Sequence, residues 1–119
     1  MKLKIFYVDD EIELCEIFLE LFNSEDCEIL TFTDPQLAIK AARKCAPDLV
    51  FMDYRLPGVT GDKVAIDMKC NSPIYLISGD LFINTAFEFK QILTKPVVSE
   101  DIRKIITMHV IEKKANDPK

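Results

Sequence analysis

Two kinds of apolar spacing alternate along the chain. Short runs rich in apolar and β-branched residues fall at residues 3–8, 28–32, 49–52, 74–77 and 91–94, bounded by acidic residues, Gly or Pro. Runs of this length predict strands, and those without polar alternation predict strands covered on both faces. Between them the spacing lengthens. In residues 11–23 the apolar positions are Ile12, Cys15, Ile17, Phe18, Leu21 and Phe22, with Glu13, Glu16 and Glu20 on the wetter side, which is helical spacing. Asp34 followed by Pro35 predicts a helix start, because one supplies an N-cap acceptor and the other a pre-set φ. That helix runs to about Lys44, with Leu37, Ala38, Ala41 and Ala42 available for packing. A short third helix of about two turns fits 62–69. Ser99 is read as the cap of a last helix over about 100–113, with Ile102, Ile105, Ile106 and Val110 on one face.

Strands joined by helices predict an α/β fold: a three-layer, doubly wound, five-stranded parallel sheet. The stretch 81–89 fits this scheme worst. Asn84 and Thr85 fall in its middle, and Phe82, Phe87 and Phe89 are awkwardly placed for one helical face. A shortened or missing fourth helix is expected there. At 119 residues the chain is read as one domain over 1–119, with a frayed tail at about 115–119.

The strand ends carry the chemistry. The stretch from Asp48 to Met52 runs straight into Asp53, and Leu56-Pro57-Gly58 then breaks the chain. The first strand ends at Asp9 and Asp10, the fourth at Ser78, the fifth at Lys95. Parallel strands deliver all of these to the carboxyl edge of the sheet, where open α/β sheets collect ligands. Carboxylates crowded to ~4 Å repel by about 4 kcal/mol per pair at an effective dielectric of 20. They must protonate or hold a cation, and a hard, oxygen-seeking ion such as Mg²⁺ suits them. Metal, carboxylate nucleophile, hydroxyl and ammonium are the parts of an aspartyl-phosphate site.

Composition narrows the alternatives. A formal net charge of −5 disfavours binding to a phosphate backbone. The four cysteines form no Cys-x-x-Cys pair and the chain holds one histidine, so no zinc site is suggested. The cysteines are read as reduced core fillers and His109 as a helix-face residue. No apolar run approaches the ~20 residues that span a bilayer, and no secretory signal precedes Asp9; a cytoplasmic protein is expected. Neither common nucleotide-binding glycine motif is present.

Tyr7-Val8-Asp9-Asp10-Glu11, Met52-Asp53-Tyr54-Arg55-Leu56-Pro57-Gly58, Ile77-Ser78-Gly79 and Leu93-Thr94-Lys95-Pro96 resemble the signatures of the response-regulator receiver domain, over nearly the whole chain. The resemblance implies the CheY-like, flavodoxin-like (βα)5 fold. It implies that Asp53 accepts a phosphoryl group from a phosphohistidine on a sensor histidine kinase or a histidine phosphotransfer protein. It implies Mg²⁺ (or Mn²⁺) held by Asp10 and Asp53, by Asp9 through water, and by the backbone carbonyl of Arg55. Lys95 would contact the phosphoryl group, with a cis bond to Pro96, and Ser78 would swing toward it. The output would be binding of a downstream protein or of a second copy, without direct nucleic-acid or membrane contact.

The chain also departs from that family. Receivers usually carry Tyr or Phe at the switch position three residues before the lysine, and here it is Ile92; Phe89 is the nearby substitute. The stretch from Ser78 to Lys95 is shorter than usual. Gly79 stands where Ala is common, widening access to the site, and Arg55 and Asp80 flank the same opening as a pair expected to gate water. Two other readings stay open. One is a pseudo-receiver that binds partners constitutively. The other is a Mg²⁺-dependent phosphatase acting through aspartyl phosphate, which in the haloacid dehalogenase family usually has a second Asp where this chain has Arg55. The receiver reading is of a signalling module, an enzyme only toward its own phosphorylation and dephosphorylation.

Overall fold

A computed structural model describes residues 2–80 and 82–116. The elements are β1 (Leu3–Val8), α1 (Ile12–Phe22), β2 (Cys27–Phe32), α2 (Pro35–Lys44), β3 (Leu49–Asp53), β4 (Arg55–Leu56), β5 (Val59–Thr60), α3 (Gly61–Met68), β6 (Ile74–Ser78), β7 (Gln91–Thr94) and α4 (Ser99–Ala115). Five strands form one sheet in the order β2-β1-β3-β6-β7, and every adjacent pair is parallel. This is the predicted doubly wound sheet, with helices on both faces.

Strand alternation divides the core in two. Leu3, Ile5, Tyr7, Leu49, Phe51, Tyr75, Ile77 and Leu93 point to one face and meet Cys15, Phe18 and Phe22 of α1 and Ile102 and Ile106 of α4. Phe6, Val8, Val50, Met52, Ile74 and Leu76 point to the other and meet α2 and α3. All of β3 and β6 is buried, which accounts for their unbroken apolar sequence. Asp34 caps α2 by accepting from the Gln36 N–H at 2.9 Å, as the sequence predicts.

The fourth crossover helix is missing. Among the described residues, 82–90 form no helix. Half-buried and exposed positions alternate there: Ile83, Thr85, Phe87 and Phe89 turn inward, and the residues between them face out. Ile83, Phe87 and Phe89 pack on the α2–α3 core, and the Phe87 and Phe89 rings lie 4.8 Å apart. A period of two is that of extended chain, and it explains why no helical face could be drawn. Phe82 is left almost wholly exposed.

Several smaller expectations need correction. The cap of α4 is Val98, and Ser99 lies inside the helix and caps nothing. In α2 Ala38 and Ala42 are buried as expected, but the large buried side chain is Ile39, while Leu37 faces solvent. A two-stranded hairpin, β4–β5, follows Asp53; Pro57 and Gly58 form its turn, and Gly58 has φ +72, a value that glycine adopts without strain. Cys15 and Cys27 are buried, but Cys45 is exposed and Cys70 only half-buried; all four are free thiols. His109 is buried in the interior, with its Nε2 2.8 Å from the Tyr75 hydroxyl. No described helix is long and apolar enough to cross a membrane. Of the expected frayed tail, Ala115 is still helical, and 117–119 lie outside the described residues.

Candidate functional site: an acidic cluster at the carboxyl edge of the sheet

The same alternation that sorts the core aims the site. Asp9 follows Ile5 and Tyr7 on one face of β1, Asp53 follows Leu49 and Phe51 on β3, and Lys95 follows Leu93 at the end of β7. Each is the next same-side position after a buried apolar residue, so burying the strand carries the charge to the edge. Ligand oxygens of Asp9, Asp10 and Asp53 all lie within 4.8 Å of one another. Lys95 Nζ is 3.0 Å from Asp53 Oδ1. Asp9 and Asp53 are buried, and Asp10 is exposed.

The electrostatics follow from this crowding. Burial raises the Asp53 carboxyl above its ordinary pKa; the Lys95 hydrogen bond opposes that, and the charges of Asp9 and Asp10 add to it. Burial alone would lower Lys95, but its hydrogen bond and charge pairing with Asp53, together with Asp9 and Glu11, raise it. One ammonium therefore faces three carboxylates, which leaves net negative charge for a cation. An all-oxygen donor set fits a hard divalent ion such as Mg²⁺ or Mn²⁺. Asp9 is less available than its neighbours. Its Oδ1 accepts the Glu11 N–H at 3.0 Å and its Oδ2 accepts the Tyr7 hydroxyl at 3.1 Å, so it suits contact through water.

Ser78 ends β6, buried, and its Oγ accepts the Asp80 N–H at 2.9 Å. The Asp80 carboxylate in turn accepts from Arg55 Nη2 at 2.7 Å, an ion pair joining the residue two past Asp53 to the residue two past Ser78. A Cβ placed on Gly79 would meet only Lys95 Cβ, at 3.9 Å, so Ala would fit and would narrow that side of the opening. Gly61 is different: a Cβ there would meet the Asp53 carbonyl oxygen at 2.5 Å. The start of α3 presses directly on the strand that presents Asp53. The Lys95–Pro96 bond is cis.

Ile92 is not brought to the site. It pairs with Leu76, two residues before the Ser78–Thr94 pair. Its side chain is 44 % exposed and lines an outer recess with Ile74, Ile83, Phe87 and Phe89. Tyr7 is the site residue that sequence reading missed. Burial first, then the Asp9 charge and hydrogen bond, raise its hydroxyl pKa strongly, so it stays a donor to Asp9. Its place two residues before Asp9 on the same strand face was the available signal.

A parallel sheet that presents a carboxylate cluster beside a lysine and a serine at its carboxyl edge defines a class of doubly wound α/β module. The family model for the response regulator receiver domain matches residues 5–107, and the chain belongs to that family. It is similar to the transcription factor SKN7 of Candida albicans, 29% identical over 97% of this chain and 22% of that protein. It is also similar to the DNA-binding response regulator MtrA of Mycobacterium tuberculosis, 30% identical over 65% of this chain and 34% of that protein. The chain thus spans about a fifth to a third of the length of these relatives. Among solved structures, a CheY-like receiver domain from Methanospirillum hungatei aligns with TM-score 0.83 at 15% identity, over 98% of this chain and all of that one. The receiver domain of a putative Luxo repressor from Vibrio parahaemolyticus aligns with TM-score 0.82 at 18% identity, over 98% and 96%.

Proposed function

We propose that the chain is a phosphorelay receiver in which Asp53 is the phosphoacceptor. The observation that carries this is the clustering of Asp9, Asp10 and Asp53 oxygens within 4.8 Å, with Lys95 Nζ at 3.0 Å from Asp53. In the forward step an Asp53 carboxylate oxygen attacks the phosphorus of a phosphohistidine. The P–N bond breaks, its electron pair stays on the imidazole nitrogen, and an acyl phosphate remains on Asp53. In the return step water attacks the phosphorus, the O–P bond breaks, and inorganic phosphate leaves. Asp10 and Asp53, with the Arg55 backbone carbonyl and with Asp9 through water, would hold a Mg²⁺ or Mn²⁺ ion, which would supply positive charge against the transferring group. Lys95 meets the new oxygens as a point cation. The Ser78 hydroxyl, already accepting from Asp80, has its proton free to donate to them.

The donor is a sensor histidine kinase or a phosphotransfer protein, and the setting is cytoplasmic. An apolar groove beside the site, lined by Leu14, Ile17, Leu21, Pro96, Val97 and Ile102, suits a helix of that donor. The output is a protein partner or a second copy, without direct nucleic-acid binding by this domain. The module catalyses only its own phosphorylation and dephosphorylation. A separate phosphatase activity is disfavoured because the position of the usual second acid holds Arg55, whose guanidinium is paired with Asp80.

The test is intact mass after incubation with Mg²⁺ and acetyl phosphate, beside Asp53→Ala. One added phosphoryl group on the wild type alone is the expected result. The outward Ile92 favours one alternative, a pseudo-receiver that binds its partner constitutively. Absence of uptake from both acetyl phosphate and a phosphohistidine protein, with the fold intact, would support it.

A further inference from the structure

Resting on the phosphoacceptor reading, we propose that Arg55 and Asp80 form a latch beside the site that holds the helix-less segment 82–90 in its packed state, and that phosphorylation of Asp53 opens it. Both halves of the latch hang on site residues. Arg55 lies two residues beyond Asp53, and Asp80 two residues beyond Ser78. Asp80 is held twice: its carboxylate by Arg55 Nη2 at 2.7 Å, its N–H by Ser78 Oγ at 2.9 Å. Any rotation of the Ser78 hydroxyl, or any loss of Arg55, therefore acts on the same residue. Asp80 is a positioning residue; it orients Ser78 and Arg55 and does not itself react.

The segment it governs is built to move. Its far end is tied to the sheet by the Lys90 N–H on the Ile74 carbonyl at 2.8 Å. Its middle is closed on itself by Thr85, whose Oγ1 accepts the Phe87 N–H at 3.1 Å. Between these ties the packing is only that of the half-buried Ile83, Phe87 and Phe89. No aromatic ring reaches from β7 to Ser78, because the position that could supply one is Ile92, turned outward. With no ring on β7 to carry a signal, the route from the site to this face is assigned to Asp80 in preference to the packing of the segment on α2 and α3.

The trigger is electrostatic. A phosphoryl group brings roughly two negative charges to Asp53. A guanidinium prefers the bidentate phosphate to a single carboxylate contact, while the Asp80 carboxylate is repelled by the same charge. Arg55 is 73% exposed, so the latch is weak: its loss should shift the balance of packed and released states by about twofold to fivefold.

The experiment is ¹⁵N NMR of the whole chain, reading the amides of Ile83, Thr85 and Phe87, which do not touch the latch. Wild type with Mg²⁺ and beryllofluoride, a phosphoryl stand-in, should shift these amides. Arg55→Ala without beryllofluoride should move them part of the way along the same line, and so should wild type in 1 M NaCl. The charge-exchanged double variant, Arg55→Asp with Asp80→Arg, should return them toward the resting position, a rescue that a merely structural role would not give. Unmoved amides in Arg55→Ala, or a beryllofluoride response confined to Asp53, Ser78 and Lys95, overturns the latch while leaving the phosphoacceptor reading intact. No response at Asp53, with no phosphoryl group gained by mass, overturns both.

Discussion

The central strands of the sheet and its β7 edge are built to different standards. On β1 and β3, the Asp9 and Asp53 carboxylates sit at the ends of strands with almost no exposed residue, backed by α1, α2 and α3. Beyond them, β6 is as buried as β3, but β7 has only Leu93 buried, and extended chain lies where a helix would cover it. On the receiver reading proposed above, the difference teaches that a site for phosphoryl transfer demands placement to about half an ångström, whereas the face around 82–90 accepts extended chain in place of a helix.

Occupancy of the acidic cluster is the largest lever on that contrast. Mg²⁺ at a hundred times its dissociation constant should stabilise the wild type by about 2.7 kcal/mol, seen as a rise in melting temperature that EDTA reverses. Asp53→Asn should reduce this gain. Without metal, the same variant should be more stable than wild type, because burial and the neighbouring acids disfavour the Asp53 charge. A metal-free variant that melts below wild type would mean that the Lys95 pair outweighs the crowding.

Gly61→Ala probes the central strands without touching a charge. The new methyl would press on the Asp53 carbonyl, Met52 and Leu76, two of them core groups that have nowhere to go. A loss of about 1–3 kcal/mol is expected from urea unfolding, with slower phosphoryl uptake at Asp53. Gly79→Ala is the matched control on the open side. With 3.9 Å to its nearest neighbour it should leave stability unchanged and slow dephosphorylation by screening Lys95. Equal rates for Gly79→Ala and wild type would remove Gly79 from the account of access.

How much of this was legible in the sequence follows the same division. Asp9, Asp53 and Lys95 were readable because each ends a strand in phase with a buried face, and phase survives without coordinates. Tyr7 was readable by the same phase and was passed over. Which of Leu37 and Ile39 faces the sheet was not readable, since both fit a helical period and only packing sets the rotation of α2. Ser99 looked like a cap because its chemistry is right, yet the helix starts at it, with Val98 as cap. The pattern in 82–90 is visible, with Ile83, Phe87 and Phe89 two and four apart, but β-α alternation demands a helix there, and that spacing fits no single helical face. The outward turn of Ile92 depends on the edge position of β7, which no local pattern encodes.

A polar contact on the strand next to β7 gives a middle-sized effect. Tyr75 and His109 join β6 to α4 through one hydrogen bond of 2.8 Å. Tyr75→Phe leaves the ring in place and removes that partner, at a cost of about 1 kcal/mol. The pH dependence has a definite sign. Burial lowers the His109 pKa below its ordinary 6.5, opposed by Glu112 and assisted by Lys90. The neutral ring is the folded form, so its contribution is full above pH 6.5 and is lost as pH falls through the window below it. Melting temperature between pH 7.5 and 5 should therefore fall more in wild type than in His109→Gln. Parallel curves would show that the pocket accepts the charged ring.

The smallest expected effect is at Ile92, and its smallness is the informative result. A side chain 44 % exposed on an edge strand contributes little to the core, so Ile92→Ala should change stability by less than about 0.5 kcal/mol. If the signal leaves the site through Asp80, this substitution should also leave phosphoryl uptake and the beryllofluoride-induced shifts of Ile83, Thr85 and Phe87 as they are. A variant that takes up phosphate normally but no longer moves those amides would place Ile92, and not the latch, on the route between site and surface. The β7 edge would then be working as the relay even with an aliphatic side chain in the position that a ring usually holds.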